Sequence, residues 1–270
     1  MSITNDIVAL GDIRKAGRLI PFVGAGLSVP FKLPSYSKLM DIIAKQLDFD
    51  PEVFKLSGTR LQLAEYYVVT KGSIGPLRSE MDRLFNPKDD KIKASRSHQA
   101  LVNMEVPIIY TTNYDRIIET AFKLRDVPCH VISSIDDIAT APLNTTQIVK
   151  FHGSFDNDAS LVLTESSYFD RLEFQSAIDI KLQADMLGKC LLFLGYGLDD
   201  INVRYMLYKL HKLRDLGRHD DANRIPSAYW ITFGVSEIQR ALLYQWDVRV
   251  VELDPVHKTP SMAHFLESLL

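Results

Sequence analysis

The chain has 270 residues, enough for one large domain or two small ones around a sizeable core. Hydrophobic residues make up 46% and charged residues 24%, the balance of a soluble globular protein. Lys plus Arg (31) nearly matches Asp plus Glu (34), and a net charge of −3 gives no global positive field for phosphates, which argues against direct nucleic-acid binding.

Leu19–Val23 reads as a buried strand running into glycines. Ser35–Leu47 opens on a serine and carries Tyr36, Leu39, Met40, Ile43 and Leu47 at helical spacing. Leu61–Val69 and Leu77–Phe85 are amphipathic too, and His98–Val102 closes a further helix. Residues 36–105 therefore read as a helical insertion within a single domain spanning 1–270. Inside it lies the one local basic patch, Lys88–Lys93 with Arg96, whose plainer reading is a solvated loop or helix end. Strands follow at Val106–Thr112, Cys129–Ser133 and Gln147–Phe151, then a helix over Tyr168–Leu187. The strand Cys190–Leu194 and a helix over Asp200–Leu216 precede the last strands, Ala228–Phe233 and Val248–Leu253. Strands apolar on both faces, alternating with helices, predict an α/β fold with a doubly wound, mostly parallel, Rossmann-like sheet.

Cys129 and Cys190 both lie in apolar text and read as free strand thiols; two cysteines cannot supply a four-cysteine zinc site. The N-terminal text has no apolar signal core, and no run approaches the ~18–20 apolar residues of a membrane span. A cytoplasmic protein with no membrane partner and no metal is expected.

Ligands of open α/β sheets sit at the carboxyl ends of strands, so the strand ends carry the functional signal. The first ends in Gly24-Ala25-Gly26-Leu27-Ser28, where two glycines permit a sharp turn and close approach to a pyrophosphate. A plain strand-to-helix turn explains the same residues. The second ends in Thr111-Thr112-Asn113-Tyr114-Asp115: Asn113 can donate and accept toward ribose hydroxyls or a water, or Asn113 or Asp115 merely caps the next helix. The third ends in Phe151-His152-Gly153-Ser154, whose histidine is a candidate base or a structural side chain. The fourth is Gly195-Tyr196-Gly197-Leu198-Asp199-Asp200, open to a phosphate or nucleoside, with Asp199 or Asp200 also able to start a helix. Four such ends in one sheet favour a dinucleotide site.

In this order the clusters GAGLS, TTNYD, FHGS and GYGLDD resemble the sirtuin family, specifically its bacterial, zinc-lacking branch, over about residues 15–255. The stretches LPSYSKLM, LAEYY and NYDRIIETAF agree. The resemblance implies that Gly24, Ala25, Gly26 and Ser28 cradle the NAD phosphates, and that Thr112, Gly195, Tyr196 and Gly197 belong to the dinucleotide site. It implies catalytic roles for Asn113, Asp115 and His152. Glu252 falls, on a looser match, near an adenine-ribose contact. Two departures stand out. The four zinc cysteines of deacylating sirtuins are absent, and Leu33-Pro34-Ser35-Tyr36 replaces the usual proline-aspartate-phenylalanine-arginine stretch.

What the resemblance implies is an NAD hydrolase, with NAD as substrate, nicotinamide and ADP-ribose as products, and a role in bacterial anti-phage defence. Its control would come from homo-oligomerisation, from a partner ATPase or Argonaute-type protein, or from a regulatory domain. A protein deacylase or ADP-ribosyltransferase is the alternative enzyme, and a non-catalytic NAD or ADP-ribose sensor the alternative module.

Overall fold

The computed structural model describes residues 3–197, 201–215 and 225–270. It begins with α1 (Ile3–Lys15), followed by β1 (Leu19–Val23) and a 3-10 turn over Ala25–Phe31. Six helices come next: α2 (Tyr36–Gln46), α3 (Pro51–Leu56), α4 (Arg60–Lys71), α5 (Gly75–Leu84), α6 (Asp89–Ala94) and α7 (Arg96–Asn103). Then β2 (Ile108–Thr111), α8 (Ile117–Lys123), β3 (Cys129–Ile132), α9 (Ile135–Ala139) and β4 (Thr146–Lys150) form one flank of the sheet. After α10 (Glu165–Glu173) and α11 (Ala177–Asp185), the chain crosses to β5 (Cys190–Leu194) and α12 (Ile201–Asp215). It closes through β6 (Ala228–Thr232), α13 (Glu237–Gln245), β7 (Val248–Glu252) and α14 (Lys258–Glu267).

The seven strands form one sheet in the order β3-β4-β2-β1-β5-β6-β7, with every pair parallel. The chain winds outward from β1 to one side and returns to the other through β5. The β1–β5 boundary is thus the point where the winding direction reverses, the place where such sheets bind ligands. β1, β5 and β6 are buried along their whole length, which explains their uninterrupted apolar sequence.

Alternate residues of each strand feed two cores, as a two-residue period requires. Leu19, Val23, Leu192 and Ile231 face α1, α7, α8 and α14 on one side. Ile20, Phe22, Leu191 and Trp230 face α11, α12 and Leu243 of α13 on the other. Between β1 and β2 the helices divide by the core they join. α2 to α5 enclose a third cluster around Ile43, Tyr67 and Met81, which also takes in Phe155 and Leu163 from beyond β4. α6 and α7 instead pack on the sheet through Ile92 and Leu101.

The helix expected over Tyr168–Leu187 is two helices. Phe174 takes a left-handed backbone (φ 58), and Ser176 opens α11 with a capping box to Asp179. The basic stretch Lys88–Lys93 lies on α6. Helices α1, α13 and α14 have no counterpart in the sequence reading. Leu198, Asp199, Asp200 and Leu216 lie outside the described residues. Among the described residues, no helix is long and apolar enough to cross a membrane.

Candidate functional site

One register row crosses four adjacent strands: Lys150 of β4 pairs with Thr111 of β2, Thr111 with Val23 of β1, and Val23 with Leu194 of β5. The next residues in each strand are Phe151, Thr112, Gly24 and Gly195. All four sequence clusters therefore emerge side by side at one carboxyl edge. Asn113 and His152 each stand two residues past a paired position on neighbouring strands.

The loops after β1 and β5 are locked together. The Gly24 N–H donates to the Leu194 carbonyl and the Gly26 N–H to the Gly195 carbonyl, both at 2.8 Å. A Cβ on Gly26 would meet the Gly195 backbone at 2.6 Å, and one on Gly195 (φ 74) would meet the Leu27 nitrogen at 2.4 Å. These glycines are demanded by loop-to-loop packing as well as by any ligand. Tyr196 completes the seam: its hydroxyl donates to the Val23 carbonyl (3.1 Å) and lies 2.9 Å from the Thr112 hydroxyl. Gly197 has open space around its α-carbon, and Ala25 begins the 3-10 turn.

Ser28, in that turn, is buried and its hydroxyl has no hydrogen-bond partner among the described residues. An unpaired buried hydroxyl costs about 1–3 kcal/mol. A phosphate oxygen on the turn would supply the missing acceptor, so the residues fit a dinucleotide.

A cavity of about 310 Å³ opens at the carboxyl ends of β1, β5 and β6, beside the N-terminus of α14. Gly26, Gly195, Tyr196 and Gly197 line it together with Phe233 and Lys258. Ser35 caps α2 by accepting from the Lys38 N–H at 3.3 Å. Glu252 turns to Arg240 at 3.2 Å and does not line the cavity.

The other flank is buried and ionic. Asn113 is buried, with its N–H donating to the Thr111 hydroxyl at 3.0 Å. Asp115 is buried too, and its Oδ1 accepts from the Ile117 N–H at 3.0 Å, capping the entry to α8. Burial pushes its carboxyl up to about 6, against the opposing pull of the Lys150 ammonium. Lys150 is 1% exposed, pairs with Glu119 at 2.9 Å and donates to the Asp115 carbonyl.

His152 is buried and packs edge-on against Tyr168, with ring centroids 5.6 Å apart. Burial, helped by the Arg171 guanidinium, holds its imidazole down to about 3, so it is neutral at physiological pH. Arg171 reaches in from α10, donates to the Phe151 carbonyl, lies 4.4 Å over the Phe151 ring and pairs with buried Asp179 at 3.1 Å. Gly153 (φ 88) follows His152 with no room for a Cβ, which would sit 2.1 Å from the Ser160 carbonyl oxygen.

Lys150 and Arg171 are the residues that sequence reading passed over. A lysine inside an apolar strand, directly before FHGS, is a readable sign of a buried ion pair. Arg171 leaves no local sign, because its partners lie across a loop and a helix junction. Among the described residues, no group of three or more His, Cys, Asp or Glu is placed to hold a metal ion. Neither Cys129, which is partly buried, nor Cys190, which is wholly buried, forms a disulfide.

The model of the SIR2-like domain family matches residues 107–251, more than half of the chain. Curated relatives agree. The NAD(+) hydrolase ThsA of Bacillus cereus is 29% identical over 203 residues, 73% of this chain and 41% of its own. Defense-associated sirtuin 2 of Bacillus subtilis is 30% identical over 207 residues, 73% of this chain and 20% of its own. The ThsA protein of Enterococcus faecium is 28% identical over 194 residues, 71% of this chain and 39% of its own. The chain thus spans about two fifths of the length of these hydrolases.

Proposed function

The chain belongs to the SIR2-like domain family, and from that premise we propose that it is an NAD hydrolase of bacterial anti-phage defence. It would release nicotinamide and ADP-ribose. The observation that carries this reading is the single row of strand ends, which sets Asn113 and His152 beside the interlocked glycine loops.

In this reading the diphosphate lies on Gly24, Ala25, Gly26 and Ser28, and the adenosine half enters the 310 Å³ cavity. The nicotinamide end reaches Asn113, Asp115 and His152. The bond between nicotinamide and ribose breaks toward a cationic sugar, nicotinamide leaves with the bonding pair, and water adds to the same carbon. Asn113 orients the ribose and that water. His152, already neutral, accepts the water's proton, a role worth about 10²–10⁴ in rate. Asp115 holds the carboxamide; with its carboxyl near 6 it carries a negative charge at neutral pH and steadies the developing cation. Arg171 fixes the His152 loop through the Phe151 carbonyl and, after burial, helps to keep the resting imidazole neutral.

The chain would act as one catalytic domain, residues 1–270, in the cytoplasm where NAD is abundant, with its 36–105 helices covering one side. Unrestrained NAD loss kills the host, so the activity would be gated by self-assembly, by a partner ATPase or Argonaute-type protein, or by a further domain. Purified protein incubated with NAD should yield equal amounts of nicotinamide and ADP-ribose by chromatography. Nicotinamide release that depends on an acylated peptide would instead mark a deacylase. Tight NAD binding without turnover at high protein concentration would mark a sensor.

A further inference from the structure

A second cavity, of about 470 Å³, adjoins the first and shares Pro30, Ser97 and Thr259 as a common wall. Lys32, Lys91 and Arg96 line it, so two cations of the basic stretch noted in the sequence open onto a hollow next to the dinucleotide cavity. Lys32 and Lys91 make no ion pair or side-chain hydrogen bond among the described residues, while Arg96 is held by Glu267 at 2.6 Å. Lys258 adds a fourth cation on the rim of the first cavity, 5.7 Å from the Phe233 ring centre. Among the described residues, neither lining contains an aspartate or a glutamate.

Nucleotide sites that select NAD place a carboxylate on the adenosine ribose 2′-hydroxyl, which also repels a phosphate there; sites for NADP offer cations instead. Here the one carboxylate that sequence placed near this ribose, Glu252, is paired with Arg240 and lies off the cavity. Two uncompensated ammonium groups stand behind the shared wall. Both side chains are exposed and face a hollow, where cations without an anionic neighbour attract a phosphate.

We propose that this second cavity receives a 2′-phosphate on the adenosine ribose, making NADP a substrate alongside NAD. The proposal rests on the dinucleotide reading of the first cavity. It adds no new chemistry: the same bond to nicotinamide breaks, and the phosphate serves only to bind.

The test separates binding from turnover. Adenosine 2′,5′-bisphosphate and AMP are titrated calorimetrically against the full chain at low salt. The bisphosphate should bind roughly ten-fold tighter, and the double variant Lys32→Gln, Lys91→Gln should bring the two within about two-fold, as should ionic strength near 1 M. Equal affinities, or a preference that survives the double variant, overturn the proposal. Nicotinamide release from NAD and NADP is measured in parallel. Cleavage of NAD alone overturns this proposal and leaves the hydrolase reading intact. A bisphosphate preference lost in the double variant, with neither dinucleotide cleaved even at high protein concentration, keeps the phosphate site but overturns the substrate claim and marks a sensor.

Discussion

The two flanks of the carboxyl edge are built from opposite materials. Around β1 and β5 the chain uses glycine, backbone hydrogen bonds and an open cavity, with no charged side chain in the seam itself. Around β2 and β4 it buries Asp115, Lys150, His152 and Asp179, with partly buried Glu119 and Arg171 as ion-pair partners of Lys150 and Asp179. A binding surface for a large, uniform ligand needs shape, and shape is cheapest to fix with the backbone. A reacting centre needs charges of fixed sign, and burial makes each of them count. The division teaches that substitutions on one side should alter affinity and on the other should alter rate and its response to pH.

The hardest test of that division is on the ionic side. His152→Ala and Asn113→Ala should each lower nicotinamide release by roughly 10²–10⁴ with dinucleotide binding retained. Loss of binding equal to the loss of rate would erase the distinction. Asp115→Asn keeps the acceptor for the Ile117 N–H while removing a buried charge. The folded carboxyl sits near 6, above its ordinary value of 3.8, so the native state holds the proton more tightly. That contribution to stability is full below 3.8 and is lost as pH rises through 6. The asparagine variant should therefore gain up to about 3 kcal/mol over the parent above pH 6, seen as a higher Tm, while its activity falls. A lower Tm at pH 8 would show that the carboxylate is better compensated than this.

His98 supplies the opposite slope. It is wholly buried beside Phe31, and burial lowers its imidazole to about 4. Its contribution is present above pH 6.5 and is lost as pH falls toward 4, by about 3 kcal/mol. His98→Leu should flatten this acid limb of the stability curve.

On the glycine side, Gly26→Ala must push the two loops apart and should cost about 1–3 kcal/mol of stability. Affinity should fall with little change in kcat. The smallest effect expected is at Arg171. Arg171→Gln removes the charge that adds to burial in lowering the His152 imidazole, so the acid limb of the pH–rate profile should move upward. It should stay below 6.5, because burial remains. Arg171→Lys keeps the charge and should leave that limb in place even where it destabilises the fold.

The sheet was legible because strands buried on both faces have no polar positions to blur them; Cys190–Leu194 and Leu19–Val23 are found where their apolar runs lie. The gathering of the candidate site was legible for a related reason: a parallel sheet brings its strand ends to one edge, and Gly24, Asn113, His152 and Gly195 stand there. What could not be read was who answers whom. Gly26 and Gly195 each look like a phosphate turn, and only the folded chain shows that they face one another. Arg171 reads as an ordinary exposed helix residue until α10 and α11 separate at Phe174 and aim it at the Phe151 carbonyl. The Ser176–Asp179 capping box that marks this break is visible in the text, yet the apolar periodicity runs through it.

The strand order also dictates a timetable. β1 lies at the middle of the sheet, yet its partners are β2, after six intervening helices, and β5, since Leu19 is paired with Cys190. During synthesis at roughly 5–20 residues per second, this fully buried central strand leaves the ribosome many seconds before either neighbour exists. For that interval both of its hydrogen-bonding edges are open, and loop closure over such distances is slow. The nascent protein is therefore at greatest risk of aggregation before Cys190 emerges. Chaperone dependence should drop sharply once nascent chains extend past Leu194.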